Sequence, residues 1–155
     1  MSKIFIYIIS VILVLWVSAA FGTEITIPAL TAKSGANIEV PIKIDKVDNL
    51  AGIKLVIKYD HEILTYKKAS RTEQTSSLMH IVNDKKPGVL IVVMAGASGI
   101  KGKDFSILSL NFELKKGLKG NHTTQITITE CQLMSDTLKK IECKFKTNPL
   151  AILPE

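Results

Sequence analysis

Strict two-residue alternation, broken at short intervals by turn chemistry, is the feature that most narrows what this chain can fold into. Residues 39–45 read Glu39-Val40-Pro41-Ile42-Lys43-Ile44-Asp45, which puts Val40, Ile42 and Ile44 on one face. Residues 53–59 repeat the pattern, with Ile53, Leu55, Ile57 and Tyr59 inward and Lys54, Val56 and Lys58 outward. Period two is the signature of a half-buried strand, because successive side chains point to opposite faces. Further apolar runs lie at 63–66, 79–82, 89–95, 107–114, 126–133 and 141–145. Turn-forming stretches separate them: Asp60-His61, the polar run 70–77, residues 83–88 ending in Pro87-Gly88, and 115–121 with Gly117 and Gly120. Pro41 cannot donate to a ladder, so it requires an edge or a bulge. Outside the first 22 residues, no window of about ten residues shows helical periodicity. The pattern predicts an all-β fold: a two-sheet β-sandwich of about eight or nine short strands.

The first 22 residues are of another kind. Lys3 is followed by an almost unbroken apolar run from Ile4 to Val17, interrupted only by Ser10, and then by Ser18, Ala19, Ala20, Phe21 and Gly22. Ala20 and Gly22 stand where a signal peptidase requires small side chains. Carried through Ala20, the apolar stretch of roughly 17 residues is at the lower limit for spanning a bilayer. We therefore read 1–22 as a signal peptide, 23–147 as the domain and 148–155 as a tail trailing from the last strand. The protein is expected to be exported, to the extracellular space, the periplasm or the cell envelope, with a membrane role only if the leader stays uncleaved. The formal net charge of +6 barely changes on cleavage, since Lys3 is the leader's only charge. The remaining lysines are spread along the chain and aromatics are only 6%, which argues against nucleic acid.

Export gives the two cysteines a meaning. Cys131 and Cys143 flank Ser135-Asp136-Thr137, and a hairpin folding about residue 137 sets them opposite each other. They form a disulfide, or else remain reduced and pack as small hydrophobes. Without histidines at ligand spacing they make no zinc site, and the scattered acids form no calcium loop, so no metal or cofactor is expected.

Several segments, taken in order, resemble a cohesin domain. They are Val40-Pro41-Ile42, Asn49-Leu50-Ala51-Gly52-Ile53, Tyr59-Asp60 with Ile63-Leu64, then Ala95-Gly96-Ala97-Ser98-Gly99 and Ile107-Leu108-Ser109-Leu110-Asn111-Phe112. The resemblance covers essentially all of 23–147. It implies a nine-stranded jelly-roll sandwich with no catalytic activity, which binds dockerin modules to assemble polysaccharide-degrading complexes. It also implies that the dockerin-facing surface uses outward positions of the strand at 89–95 and of the strand ending in Tyr59-Asp60. Here those positions include Lys54, Val56, Met94 and Gly96. Dockerin binders of the family carry acidic side chains where Lys54 and Gly96 stand, so this chain departs from that pattern.

The residues themselves favour binding over catalysis. His61, His80 and His122 are far apart in sequence, and Ser98 lacks the second glycine that a nucleophile elbow needs. Residues 89–95 are apolar on both faces, whereas a sandwich strand needs only one. Either a loop such as 70–77 covers the second face, or that face is a patch for a protein partner. We take the partner-binding residues to be Lys54, Val56, Leu90, Val92, Met94 and Gly96. A carbohydrate-binding module is the alternative, although Trp16 lies in the leader and only Tyr66 and Phe105 are left as surface aromatics. A structural subunit of an envelope or secretion assembly is a third reading. The mature chain is expected to start at Thr23; N-terminal sequencing of the exported form reads this directly, and an intact leader in the membrane fraction makes it a tethered protein instead.

Overall fold

A computed structural model describes residues 22–155; residues 1–21 of the predicted leader lie outside them. The described residues form ten strands and no helix: β1 (Thr23–Ile27), β2 (Leu30–Lys33), β3 (Asn37–Tyr59), β4 (Leu64–Arg71), β5 (Met79–Asn83), β6 (Val89–Leu114), β7 (His122–Met134), β8 (Lys140–Ile141), β9 (Cys143–Thr147) and β10 (Pro149–Leu153).

Two of these strands are far longer than the sequence pattern predicts. β3 has 23 residues and β6 has 26. A straight strand of 23 residues would span roughly 75 Å, against a radius of gyration of about 14 Å for a domain this size. Both therefore bend. Their mutual ladder runs from Asn37↔Glu113 to Lys58↔Val89 and shifts register between Ile42 and Lys43, between Val47 and Leu50, and between Leu50 and Gly52. The first shift lies beside Pro41, which meets the requirement for a bulge near a residue with no amide hydrogen. The other two mark the corner. The run Ala95-Gly96-Ala97-Ser98-Gly99, despite its two glycines, is extended chain inside β6, opposite that corner.

The corner divides the hydrogen-bonded network into two layers. One contains β9, β1, the first half of β3, the second half of β6, and β4. The other contains β2, β10, β7, the second half of β3, the first half of β6, and β5. The inner faces carry the expected residues. Val40, Ile42 and Ile44 are buried in the first sheet with Leu108, Leu110 and Phe112, and Ile53, Leu55 and Ile57 are buried in the second. Ile107 and Ser109 are buried as well, against the alternation. The segment between β4 and β5 covers them, with Thr75 Oγ1 donating to the Ile107 carbonyl at 2.9 Å and Thr72 Oγ1 to that of Ser106 at 2.6 Å.

One boundary needs correcting. Residues 148–155 do not trail away: β10 lies between β7 and β2, and Leu150 and Ile152 are buried. Pro149 is compatible with this because it is the first residue of its strand, where a missing donor is tolerated.

The hairpin at residue 137 forms as read, pairing Leu133 with Ile141 and Met134 with Lys140. Its tip is held by Ser135, whose backbone N–H donates to the Lys139 carbonyl at 2.9 Å. Cys131 and Cys143 are disulfide-bonded, with Cα atoms 6.2 Å apart. Cys131 belongs to the second sheet and Cys143 opens β9 on the edge of the first, so the bond ties the two layers together along one open side. Cross-links of this kind add about 2–4 kcal/mol, chiefly by restricting the unfolded chain.

Because β10 belongs to the core, Ile152→Ala should cost about 2–5 kcal/mol, the usual range for truncating a buried isoleucine. A urea titration reads this as a lower midpoint at unchanged slope, whereas a dispensable tail would leave the midpoint where it was.

Candidate partner-binding face

The ladders fix which side chains share the outer surface of the second sheet. Directly opposed residues in antiparallel strands lie on the same face. Lys54 is opposed by Val93 on β6 and Gln132 on β7, and Val56 by Ile91 and Glu130. On β5, Ile81 is opposed to Val93 and Met79 to Ala95. Gly52 lies between Ala95 and Met134. A Cβ on Gly52 would sit 3.3 Å from that of Met134, so the glycine leaves the methionine its room.

The surface built this way is apolar to an unusual degree. Seven large apolar side chains are exposed among the described residues, and four stand here: Met79 (71% exposed), Ile81 (66%), Val93 (42%) and Met134 (42%). Half-buried Val56, Val89 and Ile91 join them. The segment between β4 and β5 does not cover this face. It lies over the corner instead, where Arg71 holds it through Nη1 to the Leu78 carbonyl at 2.8 Å and Leu78 is buried.

The predicted site is therefore corrected by one residue of register. Lys54 and Val56 face outward as expected. Leu90, Val92 and Met94 do not: all three are buried in the core, and the outward residues of the same strand are Val89, Ile91, Val93 and Ala95. Gly96 shares the inward parity of Met94 and lies beneath the Leu78 side chain, whose Cδ2 is 2.6 Å from where a Cβ would be. Any larger residue there would displace the plug that closes the corner. Alternation alone could not choose between the two faces of 89–95, because both are apolar. The signal that decides is the cross-strand register to β3, where Lys54 and Lys58 mark the wet side. Met79, Ile81, Met134, Glu130 and Gln132 were missed for the same reason.

One polar network crosses the face. Lys54 Nζ is 2.8 Å from Glu130 Oε1, and Gln132 Nε2 donates to the same oxygen at 2.6 Å. Both charged side chains are 41% exposed, so the pair is half withdrawn from water before any partner arrives.

The alternative sugar-binding residues fare differently. Phe105 is buried, and a Cβ on Gly102 would come within 2.8 Å of its ring. Tyr66 is half-buried and meets Phe112 edge-on with centroids 5.8 Å apart. Burial, with smaller contributions from Asp84 and Tyr59, pushes its phenol up to about 12. Neither residue offers the flat exposed ring on which a sugar stacks. A concavity of about 530 Å³ opens near the corner, lined by Val47, Gly102 and Ile141 together with Lys101 and Lys103. Among the described residues, no three His, Cys, Asp or Glu side chains converge as metal ligands.

A two-sheet β-sandwich that leaves one sheet face apolar and uncovered has the form of a protein-binding module. A family model for the cohesin domain matches residues 23–149, and the chain belongs to that family. Cohesin domains are non-catalytic modules that bind other proteins. The chain is 22% identical over 138 residues to Cellulose-binding protein A of Clostridium cellulovorans, a match that takes in 86% of this chain and only 8% of that protein. It is similar in fold to the non-cellulosomal cohesin of the archaeon Archaeoglobus fulgidus, with TM-score 0.75 and 19% identity, covering 85% of this chain and 91% of that one. A type I cohesin–dockerin complex from Clostridium thermocellum gives TM-score 0.77 at 17% identity, with coverages of 87% and 96%. The sixth cohesin of Acetivibrio cellulolyticus scaffoldin B, solved with a dockerin, gives 0.76 at 19%, with 86% and 99%.

The two parities of β6 can be told apart experimentally. Val92→Asp traps an unpaired carboxylate in the core and should unfold the domain. Val93→Asp should leave it folded, within about 0.5 kcal/mol of wild type. Circular dichroism melts of the two neighbouring variants give the answer; the reverse outcome would restore the register read from sequence.

Proposed function

We propose that this protein is an exported, non-catalytic cohesin that captures a dockerin module on the outer face of its second sheet, through Lys54, Val56, Ile81, Ile91, Val93 and Met134. The observation that carries this reading is the gathering of four exposed large apolar side chains on one uncovered sheet face. An isolated exposed leucine or valine means nothing, but a contiguous patch rimmed by polar groups marks a docking surface. The dockerin complexes of its structural relatives support the choice of partner, and the predicted leader supports export. Dockerins bring enzymes and scaffolds together, so the role proposed for this chain is assembly, with polysaccharide breakdown as its setting.

The test is a binding titration of the mature domain against a panel of dockerin modules, run in parallel with Val93→Asp and Ile81→Asp. Each variant should remain folded and lose on the order of 2 kcal/mol, about thirtyfold in Kd, as expected for a charge placed in the core of an interface. Unchanged affinity in both variants would move the site off this face. Retention on insoluble cellulose or xylan, with no dockerin bound, would favour the carbohydrate reading.

A further inference from the structure

The two charges at the middle of the outer face of the second sheet are already paired with each other. Lys54 and Glu130 neutralise each other at 2.8 Å, and Gln132 supplies a further donor to the same carboxylate oxygen. Next to this closed network lies the apolar half of the face, built by Met79 and Ile81 of β5 with Ile91 and Val93 of β6. Other cations stand at the margin: Lys58 toward the strand ends, and Lys140 beside Met134, where it is bridged to Glu142 at 3.5 Å.

We infer that the partner meets this face with an apolar strip and presents no charged residue opposite Lys54 and Glu130, so that this cohesin selects its dockerin by excluding charge instead of pairing with it. The inference rests on the dockerin reading above and concerns the chemistry of that same surface. A partner lysine or arginine reaching for Glu130 would meet the Lys54 ammonium at hydrogen-bonding distance from its target. A partner aspartate reaching for Lys54 would meet Glu130. Either way a third charge is buried with no counter-ion, and a buried, unpaired charge costs far more than a completed pair gains. An apolar side chain escapes that penalty, because the pair beneath it is already satisfied. Lys54 is thus the specificity-determining residue. Removing it leaves the Glu130 carboxylate facing the partner with only Gln132 as donor, which converts the site into one that accepts a cation.

The test uses a dockerin module that binds in the panel above, in two forms that differ at a single cohesin-contacting position, leucine in one and arginine in the other. Both are titrated against the mature wild-type domain, Lys54→Ala and Glu130→Gln, with thermal melts confirming that each cohesin is folded. Wild type should prefer the leucine form by about tenfold or more, and Lys54→Ala should reverse the preference. Glu130→Gln should weaken arginine binding further, since Lys54 then stands uncompensated. Raising NaCl from about 50 to about 500 mM should change wild-type affinity for the leucine form by less than about threefold, because no charge pair forms across the interface. Equal or tighter wild-type binding of the arginine form, or a preference that Lys54→Ala leaves unchanged, overturns the inference while leaving dockerin binding in place. Failure of folded wild type to bind any module of the dockerin panel overturns the dockerin reading and the inference together.

Discussion

Everything in this domain hangs on one long antiparallel ribbon. β3 and β6 pair with each other from Asn37↔Glu113 to Lys58↔Val89, and the ribbon folds over on itself at the corner near Leu50 and Ile100. Each half then sits inside one sheet of the sandwich, so the layers share a spine and do not depend on loops to bring them together. Leu50 is buried at the corner, and Leu78 closes it from outside. This accounts for the small residues there. Gly96 leaves space for Leu78, and Gly99 has the Asn49 side chain where a Cβ would be.

The fold leaves its two outer surfaces chemically unequal. The first sheet shows water a mixture of Glu24, Lys43, Lys144 and Lys146 around β1, with Asp45 Oδ1 accepting the Glu24 backbone amide at 2.8 Å. The second sheet shows Ile81 and Val93. A monomer gains nothing from such a face, since apolar area left in water forgoes the stabilisation that burial brings. The short edge strand β5 carries its two most exposed members, Met79 and Ile81, on a frame it shares only with β6. On the open side of the sandwich, the Cys131–Cys143 bond ties β7 to β9. The strand that carries Glu130 and Gln132 is thereby anchored one residue away from them.

Alternation and turn chemistry, both local properties of the sequence, determine much of this. They give the all-β class, the one-faced sets Val40-Ile42-Ile44 and Ile53-Leu55-Ile57, the need for an edge or a bulge at Pro41, the hairpin centred on residue 137 and the turns at Gly88 and Gly117. Gly88 shows why such signals are dependable: its φ is +75°, and a Cβ would lie 2.9 Å from the Tyr59 carbonyl. These are local constraints, settled by a residue and its immediate neighbours. The tertiary structure alone decided three other matters. Which apolar face of 89–95 is buried depends on pairing with β3, some 40 residues away in sequence. The docking of Leu150 and Ile152 depends on a gap between β7 and β2 that no local pattern reveals. Whether Lys54 is a lone cation or half of an ion pair depends on Glu130, 76 residues distant. The physical reason is the same in each case: a period of two gives the two faces of a strand without saying which is wet, and only the neighbouring strand's register settles that.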